Sequence, residues 1–248
     1  HVVVGQGDVY VHNGVQKTSP IDSKMREYLF SNIREDAFDR TFVVPDYSNT
    51  EMWVCYCSSD RNDPATKGCD RAVVWNWKEN TWSIRDLPMI RYATYGIVDP
   101  QEPDFWDAAV GPWDTDSVVW GEKNYNPTKW KILMTSVEND KVYVVGNTSV
   151  YDGVPFTSVL ERTNISLGDD QGIKSVISIT PHVAGDGVMN LYVGTSYVQN
   201  GAVTWEGPFS YNIGSQFKVD FRLTGRYIAV KFEVASAANW AMNGYTFE

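Results

Sequence analysis

Ala72-Val73-Val74-Trp75-Asn76-Trp77-Lys78-Glu79-Asn80-Thr81-Trp82-Ser83-Ile84-Arg85 reads as two short strands joined by the turn Lys78-Glu79-Asn80. Val, Trp, Thr and Ile suit a pleated, half-buried surface, and the Lys-Glu-Asn step interrupts it. Upstream, residues 41–44 and 52–56 read as two more strands, separated by the turn-like residues 46–49. A polar loop over 58–68 joins the second strand to the third, and Leu87-Pro88 is expected to stop the fourth. Four short antiparallel strands with a Trp-rich third strand match a propeller blade. Residues 92–98, 117–120, 131–136 and 141–145 repeat that count and order. The insert 99–116, rich in Asp, Pro and Trp, reads as a surface loop.

Before the blades, Asp8-Val9-Tyr10-Val11-His12 reads as a strand closed by the hairpin turn Asn13-Gly14, with 15–17 returning. Met25, Tyr28, Leu29 and Ile33 recur at helical spacing behind a cap at Asp22 or Ser23, with Glu27 in the first turn. After Asp152-Gly153-Val154-Pro155 the strands lengthen: 158–167, 174–183, 189–198, 202–211, 218–223, 227–234 and 240–247. Gly168-Asp169-Asp170, Asn200-Gly201 and Thr224-Gly225 are among the turns between them. The expected fold is all-β. Residues 1–153 would form a partial β-propeller of about two blades, a hairpin and one short helix. Residues 154–248 would form a β-sandwich. Propellers close with about four to eight blades, so the missing ones should come from an N-terminal portion or a second polypeptide. The chain opens at His1 directly into Val2-Val3-Val4, a strand-like start that fits a fragment of something longer.

The 248 residues carry 21 Lys plus Arg against 31 Asp plus Glu, a net charge of −10. Hydrophobic residues are 43% and charged ones 21%, a balance that excludes a disordered chain. No apolar run is long enough for a membrane-spanning helix. The acidity leaves no diffuse attraction for phosphate backbones, and no local basic patch replaces it.

Chemistry-bearing residues are few. His1, His12 and His182 are the only histidines, and no HExxH, CxxC or GxSxG pattern occurs. Gly5-Gln6-Gly7 lacks the Lys-Ser or Lys-Thr of a phosphate loop and leads into a strand. Asp60, Asn62, Asp63 and Asp70 are possible calcium oxygens without EF-hand spacing. Cys55 and Cys57 flank Tyr56 and so share a strand face, with Cys69 beyond the polar loop. They form either a zinc or redox site or a set of ordinary thiols. The lack of a nearby His to complete a tetrahedral set favours ordinary thiols. Trp75, Trp77 and Trp82 are read as packing residues rather than sugar platforms. The possible interaction loop holds Asp104, Trp106, Asp107, Trp113, Asp114 and Asp116, with Glu102 beside them. Paired carboxylates beside aromatic rings are what glycoside hydrolysis needs, whereas Asp in a loop also serves turns.

Several of these stretches resemble one family: residues 8–14, Arg26-Glu27-Tyr28-Leu29-Phe30, Glu51-Met52-Trp53-Val54-Cys55-Tyr56, 72–77, 81–88 and 218–232. They look like tail nozzle or hub proteins of short-tailed bacteriophages, the tail tubular protein B group. The resemblance implies a propeller-bearing virion subunit, made in the host cytoplasm, in a ring, expected to be a hexamer. The ring would enclose the channel through which DNA leaves and would contact other tail proteins. It implies no enzyme activity, no cofactor, no metal, no membrane span and no sequence-specific nucleic-acid binding. Negative charge around such a channel repels the phosphate backbone and lets DNA slide. The alternative is a carbohydrate-binding or glycan-degrading β protein that uses the acidic-aromatic loop.

Overall fold

The computed structural model describes residues 1–60, 68–97, 130–146, 148 and 150–248. Among them are sixteen strands, one α-helix and one 3-10 segment, so the protein is all-β, built from several antiparallel sheets. The chain divides into two compact units, His1–Asn147 and Thr148–Glu248.

In the first unit, β1 (Val2–Val4), β2 (Val9–His12) and β3 (Lys17–Thr18) form a small antiparallel sheet. Its second hairpin turns at Asn13-Gly14. The Asn13 side chain accepts from the backbone N–H groups of Val15 and Gln16, and Gly14 takes a φ of 98°. Helix α1 (Ser23–Asn32) starts where the sequence places it. The Asp22 carboxylate caps it by accepting from Met25 N–H at 2.8 Å. A 3-10 segment, Glu35–Arg40, leads to β4 (Phe42–Asp46).

Next come β5 (Glu51–Tyr56), β6 (Cys69–Asn76), β7 (Thr81–Ile97), β8 (Trp130–Ser136) and β9 (Val142–Val144). The structure departs here from two separate four-stranded groups. Strands β4 to β9 pair in order as one six-stranded sheet. The expected stop at Leu87-Pro88 is absent, and β7 runs for 17 residues. Its first half pairs with β6 through Asp86, Ile90 lies between Cys69 of β6 and Ser136 of β8, and the second half continues along β8. Register shifts flank the junction, and Met89 adopts a φ of 51°. Proline ends a ladder only where its missing N–H is required, and a bulge removes that requirement. The freed carbonyls are taken up locally. Pro88 O accepts from Ser136 Oγ at 2.7 Å and Met89 O from Val137 N–H at 2.9 Å. Gly68 faces this bulge, where a Cβ would sit 2.3 Å from the Ile90 carbonyl oxygen. The expected strand over 117–120 lies outside the described residues.

Both faces of β5 and β6 are buried. One face contributes Trp53, Cys55, Ala72 and Val74 to a cluster with Ile90, Ile132 and Met134. The other contributes Tyr56 and Val73, covered by Leu29 and Ile33 of the α1 region and by Val9 of β2. That explains the run of four buried residues in β5, which plain alternation would not give.

The second unit contains β10 (Ser158–Ile165), β11 (Lys174–Gly185), β12 (Val188–Ser196), β13 (Thr204–Asn212), β14 (Val219–Gly225), β15 (Tyr227–Val234) and β16 (Trp240–Phe247). One sheet has the order β10-β15-β12-β13, the other β14-β11-β16. Their facing residues share one cluster, with Leu191, Val193, Val230 and Phe232 from the first sheet and Val176, Ile179, Val219 and Leu223 from the second. Only Arg226 separates β14 from β15, so the chain changes sheet within a single residue.

Candidate functional site

The six loop residues Asp104, Trp106, Asp107, Trp113, Asp114 and Asp116 lie outside the described residues, as do Asn62 and Asp63. The other two calcium candidates have local partners. Asp60 pairs with Arg71 at 2.7 Å, and Asp70 accepts from Ser58 N–H and Ser58 Oγ, both at 2.6 Å. His12 Nδ1 accepts from Gly14 N–H, and His182 Nε2 meets Thr246 Oγ1 at 2.9 Å. Among the described residues no group of three or more His, Cys, Asp or Glu side chains could hold a metal ion.

Cys55, Cys57 and Cys69 are free and all belong to the inner cluster of the six-stranded sheet. The Cys57 thiol donates to Gly68 O and the Cys69 thiol to Arg40 O. Burial pushes the Cys55 thiol far above its ordinary pKa. Hydrogen bonding between Cys57 and Cys69 raises Cys69 and lowers Cys57, and burial adds to the rise at Cys69. All three thiols are buried, so reagents in solvent do not reach them in the folded protein. At neutral pH, Ellman's reagent should find none of the three thiols within minutes in the native protein and all three after unfolding in guanidinium. Rapid native labelling of Cys55 would contradict this burial.

The tryptophans divide. Trp75 and Trp82 face each other across β6 and β7 and stack with centroids 6.0 Å apart. Trp82 packs on the α1 cluster, and Trp75 packs against Trp82 while staying half-buried outside the core clusters. Trp77, one residue past β6, meets Tyr47 edge-on at 6.2 Å. Tyr47 in turn meets Tyr95 at 5.3 Å, and Tyr95 stacks on Trp130 at 5.2 Å. The Ser48 and Tyr95 hydroxyls bond at 2.8 Å, tying the β4–β5 turn to β7. A row of four aromatic rings thus borders the ends of β7 and β8.

The most distinctive surface is the back of β7, β8 and β9. Register aligns Tyr92 with Thr135 and Val142 in one cross-strand row, and Thr94 with Leu133 and Val144 in the next. The intervening residues Ala93, Ile132, Met134 and Tyr143 point to the inner cluster, so these two rows face outward. Tyr92 is 69% exposed and Val142 63%. Over β5 and β6 the same face of the sheet is roofed by α1, and among the described residues no element roofs it here. β9 also ends the sheet, and its outer backbone edge pairs with no described strand. Sequence reasoning placed these strands yet missed the face, because an alternating pattern does not reveal which face receives a covering layer.

No protein-family model matches the chain, and no curated protein sequence matches it.

Proposed function

We propose that this chain is a structural subunit of a short-tailed bacteriophage tail, of the nozzle or hub type, working through shape, surface charge and assembly without a chemical step. The observation that carries the reading is the exposed Tyr92 and Val142 on the outward face of β7–β9, beside an edge of β9 that pairs with no described strand. Exposed apolar rows and unpaired edges on a free-standing subunit invite self-association, and assemblies cover them. The covering partner in this reading is another copy in a ring, of hexameric type, or a neighbouring tail protein in the virion. The stretches that resemble the nozzle group supply β2, α1, β5, β6, the first half of β7, β14 and β15. The net charge of −10 suits a wall along which DNA slides. The second unit is read as a β-sandwich, supported by its two antiparallel sheets around one shared core. Since one six-stranded sheet stands in place of two blades, the proposal rests on the exposed Tyr92 and Val142 and not on closing a propeller.

The alternative, a glycan-binding protein, draws support from the aromatic row of Trp77, Tyr47, Tyr95 and Trp130.

The test is assembly. The chain, co-expressed with phage tail proteins, should form rings or tail particles visible by negative-stain electron microscopy. Tyr92→Lys with Val142→Lys should leave thermal unfolding nearly unchanged and abolish those particles. Particles that form equally well with the double substitution would remove the face from the contact. Failure to assemble at all, together with binding on a polysaccharide panel, would favour the alternative.

A further inference from the structure

We infer that the cleft between β10 and β16 in the second unit binds a carboxylate-bearing sugar, with Arg162 as the anchor for the carboxylate. The inference stands apart from the assembly reading, which concerns a surface of the first unit.

The geometry begins with register. Ser158, Leu160 and Arg162 lie opposite Val234, Phe232 and Val230, all members of the second unit's core. Opposed residues in an antiparallel pair share a face, so these three β10 side chains project toward the other sheet. At Ser158 the two sheets meet, and Trp240 Nε1–H donates to Ser158 Oγ at 2.9 Å. Farther along β10 they part. Leu160 is 46% exposed, and Arg162 is exposed as well. The seam widens into a cleft of about 550 Å³ lined by Arg162, Asn164, Ser166, Tyr245 and Phe247, among others. Such a volume is typical of small-molecule sites.

An arginine at an inward-facing strand position does nothing for an apolar core. Arg162 makes no ion pair or hydrogen bond with any described residue, and neither does the Ser166 hydroxyl. The Tyr245 hydroxyl is closed to solvent and also lacks a hydrogen-bond partner. A buried hydroxyl left in that state is unusual enough to call for an explanation. The rim, by contrast, is well fixed. The Asn164 side chain donates to Asn200 Oδ1 at 2.7 Å and accepts from Asn200 N–H at 2.9 Å. Asn164 and Leu167 hold φ values of 57° and 50°, and strained backbone of that kind clusters at ligand sites.

The groups left over define the ligand. A guanidinium fork matches a carboxylate through two parallel hydrogen bonds. The Ser166 hydroxyl suits sugar hydroxyls, and the Phe247 ring with Ile165 offers an apolar wall for the C–H face of a pyranose. A sugar acid such as glucuronate joins these features in one small molecule.

Calorimetric titration of the full chain tests this with sodium glucuronate, glucose and sodium acetate as probes. Saturable glucuronate binding is expected, with acetate weaker and glucose weaker still. Arg162→Gln, at an exposed position that folding does not need, should weaken glucuronate about tenfold or more, as loss of a charge-assisted pair does. No saturation by about 10 mM glucuronate would overturn the site. An unchanged affinity in Arg162→Gln would overturn the anchor. Glucose binding as tightly as glucuronate would remove the carboxylate requirement, and acetate binding as tightly would remove the sugar.

Discussion

Phe232→Ala should destabilise the second unit by about 3–5 kcal/mol, the range for deleting a large aromatic side chain from a packed core. Phe232 is 1% exposed and lies at the centre of that core. It pairs with Leu160 on one side and Leu191 on the other, and its ring tilts against Tyr245 at 5.5 Å. The surrounding β-strands are hydrogen-bonded on both sides of β15, so they cannot collapse to fill the space. Phe232→Leu keeps most of the volume and should cost about 1 kcal/mol. Native-state hydrogen exchange on the amides of β12 and β15 reads both values. A loss below about 1 kcal/mol in Phe232→Ala would mean that the two sheets do not share a close-packed interior.

Asp70→Ala should have a comparable effect in the first unit, about 2–5 kcal/mol from two stranded donors. Asp70 and Ser58 are both buried, and the carboxylate takes the Ser58 N–H on one oxygen and the Ser58 hydroxyl on the other. Alanine leaves both donors without this acceptor in a place water does not reach. Ser58 also bridges to Ile33 at the end of α1, and Ser59 N–H donates to Asn32 O at 2.7 Å, so the loss spreads to the helix seat. Asp70→Asn retains one acceptor oxygen and should fall between alanine and the native protein. Urea unfolding followed by circular dichroism gives the ranking. Equal stability of all three proteins would show that the Ser58 clamp does not hold the β5–β6 junction.

Much of the local structure was legible in the chain. Asp22 and the spacing of Met25, Leu29 and Ile33 located α1, because a cap and a helical stripe are both short-range signals. Asn13-Gly14 located a hairpin for the same reason. The alternation in Tyr227-Ile228-Ala229-Val230-Lys231-Phe232-Glu233-Val234 marked β15 from end to end. Pro88 misled, since its effect depends on whether a neighbouring strand needs its N–H, and β7 avoids that need by bulging. The candidate loop residues Asp104 to Asp116 lie outside the described residues.

The described strands, helix α1, the turns and the acidic balance were determined by the sequence itself, because each depends on residues within a few positions of one another or on simple composition. Tertiary structure alone decided that β7 joins two strand groups into one sheet, that α1 roofs only half of that sheet, and that Arg162 lines a cleft rather than a closed seam. Each of these depends on which distant strand lies alongside, and the choice is made by long-range packing that a local pattern of apolar and polar residues does not encode.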